Sequence, residues 1–351
     1  VQESFTDFIT FNPGPSRISP RICKAIHEVV DSGFLSLSHR SDAFKEVSKK
    51  AVEGLREKMG LPADYKIFYQ PSATTAMETI LRNLVRKKSV HFVHGAFSRL
   101  FYSTAAEIGL EPQIHESPMQ EAVDWRSASL PKNAELIAVT HCETSSGLIW
   151  PKEELSLLRK EHPGPLLAID ATSTFGTMRM RWEEADLWFL AVQKCLGLPS
   201  GLGILLVGPR ALERAIRGAQ AAPWQRFDAL LKKMESYCTP ETPNMLNIAL
   251  LARQMEQWDL DRIEKETEEK AQFLYASLPW KPFVEEAGWR SPTLLNFKVK
   301  EPALWHQRAA ENKLILGMGY PPLENSCIRI ANFPAHSLDD FRRAVKLFIE
   351  P

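Results

Sequence analysis

LLAIDATSTFGTMRMRWEEADLWFLAVQKCLGLPSGLGILLV, residues 166–207, holds two short apolar runs that each end on a polar group. Leu166-Leu167-Ala168-Ile169 runs into Asp170, and Leu187 to Val192 runs into Gln193 and Lys194. Short apolar runs bounded by turn residues read as buried strands of a parallel or mixed sheet. Charged groups at the ends of such strands fall on the edge where open sheets bind ligands. After Lys194, the Gly- and Pro-punctuated stretch Cys195 to Gly203 turns directly into a further apolar strand, Ile204 to Val207. Lys194 is therefore held on a tight turn between two strands. A structural ion pair is the plain alternative reading of Asp170 and Lys194, because buried charges are normally paired.

A carboxylate and a primary amine meeting at one sheet edge are also what pyridoxal phosphate chemistry requires. The amine forms the Schiff base, and the acid keeps the pyridine nitrogen protonated so that the ring accepts electrons.

Working outward, Phe11-Asn12-Pro13-Gly14-Pro15-Ser16 is an irregular lead-in, and Pro20 to Asp31 reads as a helix with Ile22, Ala25, Ile26, Val29 and Val30 on one face. Ser38-His39-Arg40-Ser41 precedes a helix over 43–59, which Ser41 or Asp42 can cap. A strand over 65–69 leads to Ser72-Ala73-Thr74-Thr75, where Ser72 can cap the next helix and the free N–H groups of its first turn can hold an anion. Val90 to Val93 is a strand, followed by Gly95-Ala96-Phe97-Ser98 and a helix over 97–108. The stretch with Pro112 and Pro118 has no clear pattern, whereas Glu135 to Thr140 is a strand ending in His141-Cys142-Glu143-Thr144. Helices follow over 153–161 and 209–217, residues 219–236 read as a loop, and Tyr237 to Pro243 is a Pro-rich turn. Two helices (245–258 and 260–278) then lead to a compact α+β tail of strand 294–299, helix 303–312, strand 327–331 and helix 338–349. Arg329 interrupts the otherwise apolar Cys327–Ala331 and needs an anionic partner.

A length of 351 residues suits a large domain and a smaller one. The 43 basic residues cancel the 43 acidic ones, so no field favours nucleic acid or an anionic membrane. Apolar runs stop well short of the ~20 residues that span a bilayer, and Val1 to Phe5 has neither the basic nor the apolar part of a secretion signal. Five scattered cysteines without a CxxC pair favour reduced thiols. A cytoplasmic protein is expected.

D-A-T-S-T-F-G followed by Q-K-C-L-G-L-P-S-G-L-G resembles the cofactor-binding core of the class V pyridoxal phosphate-dependent aminotransferases, and the likeness extends over most of the chain. It implies an α/β protein of fold type I, with a large domain built on a mostly parallel seven-stranded sheet and a small C-terminal α+β domain. The implied divisions are residues 1–15 as a segment over the active site, 16–258 as the large domain and 259–351 as the small one. It also implies pyridoxal 5'-phosphate, with Lys194 and Asp170 catalytic, and Ala73, Thr74, Phe97, Thr144, Gln193, Cys238 and Thr239 binding the cofactor. Ala73 and Thr74 would hold the phosphate, Phe97 would stack on the pyridine, and Thr144 would bond its phenolic oxygen. Cys238 and Thr239 would reach the cofactor of a second copy across a homodimer interface. Arg329 would take the α-carboxylate of an amino acid or 2-oxo acid, and His39 and Arg40 would meet a further acidic group. The S-H-R-S element resembles the phosphoserine branch, and phosphoserine with 2-oxoglutarate is the expected pair. Gly317 to Pro322, however, lacks the His-Arg pair of that branch, so serine- or alanine-glyoxylate transamination is the alternative. Cysteine desulfuration on the same fold needs a mobile thiol, whereas Cys327 lies inside a strand beside Arg329. A non-catalytic binding module would not need both Lys194 and Asp170.

Overall fold

A computed structural model describes residues 8–215 and 219–349. Seven strands form one sheet in the order Lys66–Gln70, Gly203–Val207, Leu187–Ala191, Leu166–Asp170, Leu136–Thr140, Ser89–Val93, Gln113–Glu116. Only Gly203–Val207 runs against its neighbours. The apolar runs have side chains on both faces, and alternation sends them to two different cores. Ile137, Val139, Leu167, Ile169, Trp188 and Leu190 face one core with helices Pro20–Asp31, Asp42–Met59 and Met245–Met255. Leu136, Ala138, Leu166, Ala168, Leu187 and Phe189 face the other, with helix Ala73–Leu84 and Phe101 of helix Ala96–Glu107. The result is a three-layer sandwich of α/β type I architecture, as expected from the resemblance.

A second, antiparallel sheet orders Lys281–Pro282, Leu294–Lys298, Cys327–Ala331 and Gly317–Met318. Its apolar face packs on helices Leu260–Ser277 and Leu338–Ile349. Phe11 is buried in this C-terminal core, and Ile9–Thr10 pairs with Leu314–Ile315. The N-terminal segment thus begins on the C-terminal unit and crosses to the Lys194 turn, where Ser16 N–H donates to Gln193 O at 2.8 Å and Ser16 Oγ to Lys194 O at 2.8 Å.

Three expectations need correction. Residues 219–236 contain a helix, Phe227–Met234, because Phe227 and Leu230 share a face that buries against Phe68. Gln113–Glu116 is the edge strand of the large sheet; its half-exposed residues hide the alternation. The helix expected over 209–217 ends at Glu213, and residues 216–218 lie outside the described residues, as do residues 1–7 of the N-terminal segment.

Candidate active site

Every group that assembles here comes from the C-terminal ends of the parallel strands or the segments packed over them. Asp170 closes its strand opposite Thr140 and is buried. Its Oδ1 accepts from Thr172 N at 2.9 Å and from the Thr172 hydroxyl, while Oδ2 has no hydrogen bond among the described residues. Burial raises the Asp170 pKa, and the Thr172 bonds and the charge of Lys194 oppose that rise.

Lys194 is also buried. Its turn is closed by Gly197 N–H to Lys194 O at 3.0 Å, with Gly197 at φ +63°, a conformation a side chain would strain. Nζ donates to Thr144 Oγ1 at 2.7 Å and Ser173 Oγ at 3.2 Å, and stands 4.7 Å from the centre of the Phe97 ring. Burial lowers the Lys194 pKa, against the pull of Asp170. The amine is therefore easier to deprotonate than a surface lysine, as a base or nucleophile requires.

Arg329 lies on the neighbouring sheet, in register with Asn296 and Gly317. Its Nε donates to Met318 O at 2.6 Å and its Nη1 to Thr144 O at 2.9 Å. Nη2 has no partner among the described residues, leaving one edge of the fork for a carboxylate. Burial pushes its pKa down to about 10, so it stays charged at neutral pH. Thr144 is the hinge of this arrangement: its hydroxyl holds the amine and its carbonyl holds the guanidinium.

At the far end, Ser72 caps helix Ala73–Leu84 by accepting from Thr75 N at 3.0 Å. The N–H groups of Ala73 and Thr74 carry no hydrogen bond among the described residues, and the helix dipole adds to them. Gly203 makes this placement possible, because a Cβ there would lie 2.6 Å from the Ser72 carbonyl group.

The Aminotransferase class-V family matches residues 9–307. The chain belongs to the class V aminotransferases. A phosphoserine aminotransferase from Rhodococcus jostii (strain RHA1) is 28% identical over 96% of this chain and 93% of its own. The crystal structure of a phosphoserine aminotransferase from Cytophaga hutchinsonii is 34% identical with a TM-score of 0.94, covering 97% of this chain and 98% of that one. An alanine–glyoxylate aminotransferase from Nostoc sp. shares the fold at a TM-score of 0.84 and 21% identity, covering 100% of this chain and 97% of its own.

The cofactor of this class V aminotransferase is pyridoxal phosphate, and the residues fit it. An anionic phosphate suits the open N–H groups at Ala73 and Thr74. A cationic pyridine ring would give Asp170 Oδ2 its missing partner, and Lys194 Nζ is placed over the Phe97 ring for the aldehyde. Gln193 Oε1 is buried without a partner; turning the amide over presents its NH₂ instead, a donor for an anion.

Not every expected site residue gathers here. The Cys238 thiol donates to His39 O at 3.8 Å, the Thr239 hydroxyl to Glu241 O at 2.6 Å, and His39 Nδ1 lies 3.3 Å from the Thr242 hydroxyl. Arg40 is exposed. Among the described residues, no hydrogen bond or ion pair links these four to Lys194, Asp170 or Arg329 within the chain. Cys238 and Thr239 instead line a cleft with Gln70, Pro71, Gly201 and Asn244.

Sequence reasoning missed Glu143, Ser173 and Tyr320. Glu143 is wholly buried; Oε1 accepts from Phe97 N at 3.2 Å, Ser145 N at 3.2 Å and Ser145 Oγ at 2.7 Å, and Oε2 from Ser98 N at 3.0 Å and Ser98 Oγ at 2.9 Å. Burial alone would raise its pKa, but the neighbouring His94 and these donors hold it below the usual carboxylate range. The carboxylate caps helix Ala96–Glu107 and so sets where Phe97 stands. A Cβ on Gly95 would lie 2.3 Å from Glu143 Cγ, so no larger residue fits beneath it.

Proposed function

We propose that the protein transfers the amino group of phosphoserine to 2-oxoglutarate, with His39 and Arg40 meeting the second acidic group of either substrate. The observation that carries the transamination reading is the double hold of Thr144 on Lys194 and Arg329. It anchors an amine and a guanidinium on the same residue, so that one small substrate can meet both an amine and a carboxylate-binding group. Bound pyridoxal phosphate supplies an aldehyde and an electron-accepting ring. With that group bound, Lys194 Nζ would act as the base that removes the proton from the substrate Cα, helped by its lowered pKa. Arg329 holds the α-carboxylate by its free edge and thereby orients the Cα–H bond. Asp170 would face the ring nitrogen of the bound cofactor, and Phe97 would form the flat wall beside the ring. Ala73, Thr74 and Gln193 would hold the phosphate.

Phosphoserine is supported by the names of the relatives that match nearly the full chain. Since Cys238, Thr239, His39 and Arg40 make no hydrogen bond or ion pair with Lys194, Asp170 or Arg329 among the described residues, the reading includes a homodimer in which Cys238 and Thr239 reach the cofactor of the second copy. It also includes a cytoplasmic role in serine biosynthesis and domain divisions after residues 15 and 258. Serine- or alanine-glyoxylate transamination is the second reading, favoured by the absence of a base over Gly317 to Pro322. Cysteine desulfuration is disfavoured, because Cys327 is buried in a paired strand with its thiol pKa raised by burial. Steady-state rates with phosphoserine, serine and alanine, each against 2-oxoglutarate and glyoxylate, test the substrate. Turnover of alanine or serine without turnover of phosphoserine would end the leading reading.

A further inference from the structure

Five residues close a ring around the space between the amine and the guanidinium. Lys194 Nζ lies 4.7 Å from the Phe97 ring, whose centre is 5.7 Å from that of Tyr320. Tyr320 in turn lies 5.4 Å from the Arg329 guanidinium carbon, and Thr144 joins Arg329 back to Lys194 at 2.9 and 2.7 Å. An amino acid held by its carboxylate on Arg329, with its nitrogen toward Lys194, can pass its side chain along Tyr320 or Phe97. Of those two, only Tyr320 carries a polar atom. Its hydroxyl has no hydrogen bond among the described residues, and the residue is half-buried. Its place is also rigid. Leu323 N–H donates to Tyr320 O at 2.6 Å, and Gly319 must be glycine because a Cβ would lie 2.1 Å from Leu323 O.

We propose that Tyr320 is a specificity-determining residue, its phenol hydroxyl donating to an oxygen of the substrate side chain while its ring braces Arg329. The proposal rests on the aminotransferase reading above. A polar or anionic side chain gains a bond there, whereas the methyl group of alanine has nothing to offer. A phenol hydroxyl can donate to hydroxyl and phosphate oxygens alike.

Tyr320→Phe keeps the ring against Phe97 and Arg329 and removes only the hydroxyl. A hydrogen bond to a charged group corresponds to about a tenfold or greater change in affinity. The expected result is a KM for phosphoserine raised about tenfold, kcat nearly unchanged, and both constants for alanine unchanged. Equal rises for phosphoserine and alanine would overturn the proposal, since the hydroxyl would then serve the common carboxylate. No change for either would overturn it as well. If the wild-type enzyme turns over serine but not phosphoserine, the substrate reading fails on its own, and the same comparison of serine with alanine decides the role of Tyr320. Tyr320→Arg, read in parallel, is expected to lower the KM for phosphoserine relative to serine; a rise in that ratio would count against a side-chain contact at this position.

Discussion

Glu143→Gln removes one negative charge and leaves the side-chain shape intact. In the wild type both oxygens accept, Oε1 from Phe97, Ser145 N and Ser145 Oγ, and Oε2 from Ser98 N and Oγ. A glutamine can keep its oxygen toward Ser145 and Phe97, but its NH₂ then faces the Ser98 N–H, donor against donor. One buried N–H left without an acceptor costs about 1–3 kcal/mol. Loss of the charge at the start of helix Ala96–Glu107 adds roughly 0.3–1 kcal/mol. The sum is about 1–4 kcal/mol, a fall in Tm on the order of several degrees for a chain of this size. The sign follows from the lowered carboxyl pKa. The ionised form stabilises the fold above the unfolded carboxyl value near ~4.3, and that contribution disappears as pH falls through the folded value. The Tm difference between wild type and Glu143→Gln is therefore expected to be full at pH 7 and to shrink in acid. Thermal unfolding by circular dichroism at pH 7 and below pH 4 measures this. Because the same carboxylate sets Phe97, the variant should also bind pyridoxal phosphate more weakly, read from the dissociation constant of the apo-protein. Glu143→Asp, which keeps the charge, should recover part of both losses. Equal Tm and equal cofactor affinity in wild type and Glu143→Gln at pH 7 would refute the role given to Glu143.

Asp170→Asn takes away the carboxylate proposed to face the ring nitrogen while keeping the bond from Thr172 N; kcat should fall by about 10²–10³, and a loss under threefold in stopped-flow half-reactions would contradict its assignment. In Gly203→Ala the new Cβ would meet the Ser72 carbonyl group at 2.6 Å and push away the turn proposed to bind the phosphate. Binding of pyridoxal phosphate should weaken while that of unphosphorylated pyridoxal does not; an equal loss for both would place the damage elsewhere. Lys270 is buried with Nζ bonded to His336 O at 2.9 Å, and burial pushes its pKa down to about 8. Its charged form disfavours the fold below that value, and between pH 8 and the unfolded value of about 10.4 the unfolded chain binds more protons, so stability rises with pH. Urea midpoints of wild type and Lys270→Met should therefore shift in favour of wild type from pH 7 to pH 10, and a constant difference would exclude the effect.

Residues that announce their surroundings by local pattern were legible. Asp170 and Lys194 stand at the ends of apolar runs, Arg329 breaks an apolar strand, and Ser72 precedes a helical period; each occupies the place its pattern implied. Helix Phe227–Met234 was not legible, because Pro223 and the Lys232-Lys233 pair mask a face made by only Phe227 and Leu230. Glu143 was missed for a different reason. It is held by hydroxyl and backbone donors from Phe97, Ser98 and Ser145, and nothing in the sequence near it marks a buried anion.

By itself the chain's order of residues determined most of the strands and helix starts and the chemistry available at their ends, because hydrophobic period and capping act over a few residues. Which ends meet was decided by tertiary structure alone. Thr144 joins Lys194, 50 residues onward, to Arg329, 185 residues onward; Tyr320 meets Phe97; and His39 meets Thr242, 203 residues onward. Such contacts depend on how whole layers pack, and no local spacing carries that information.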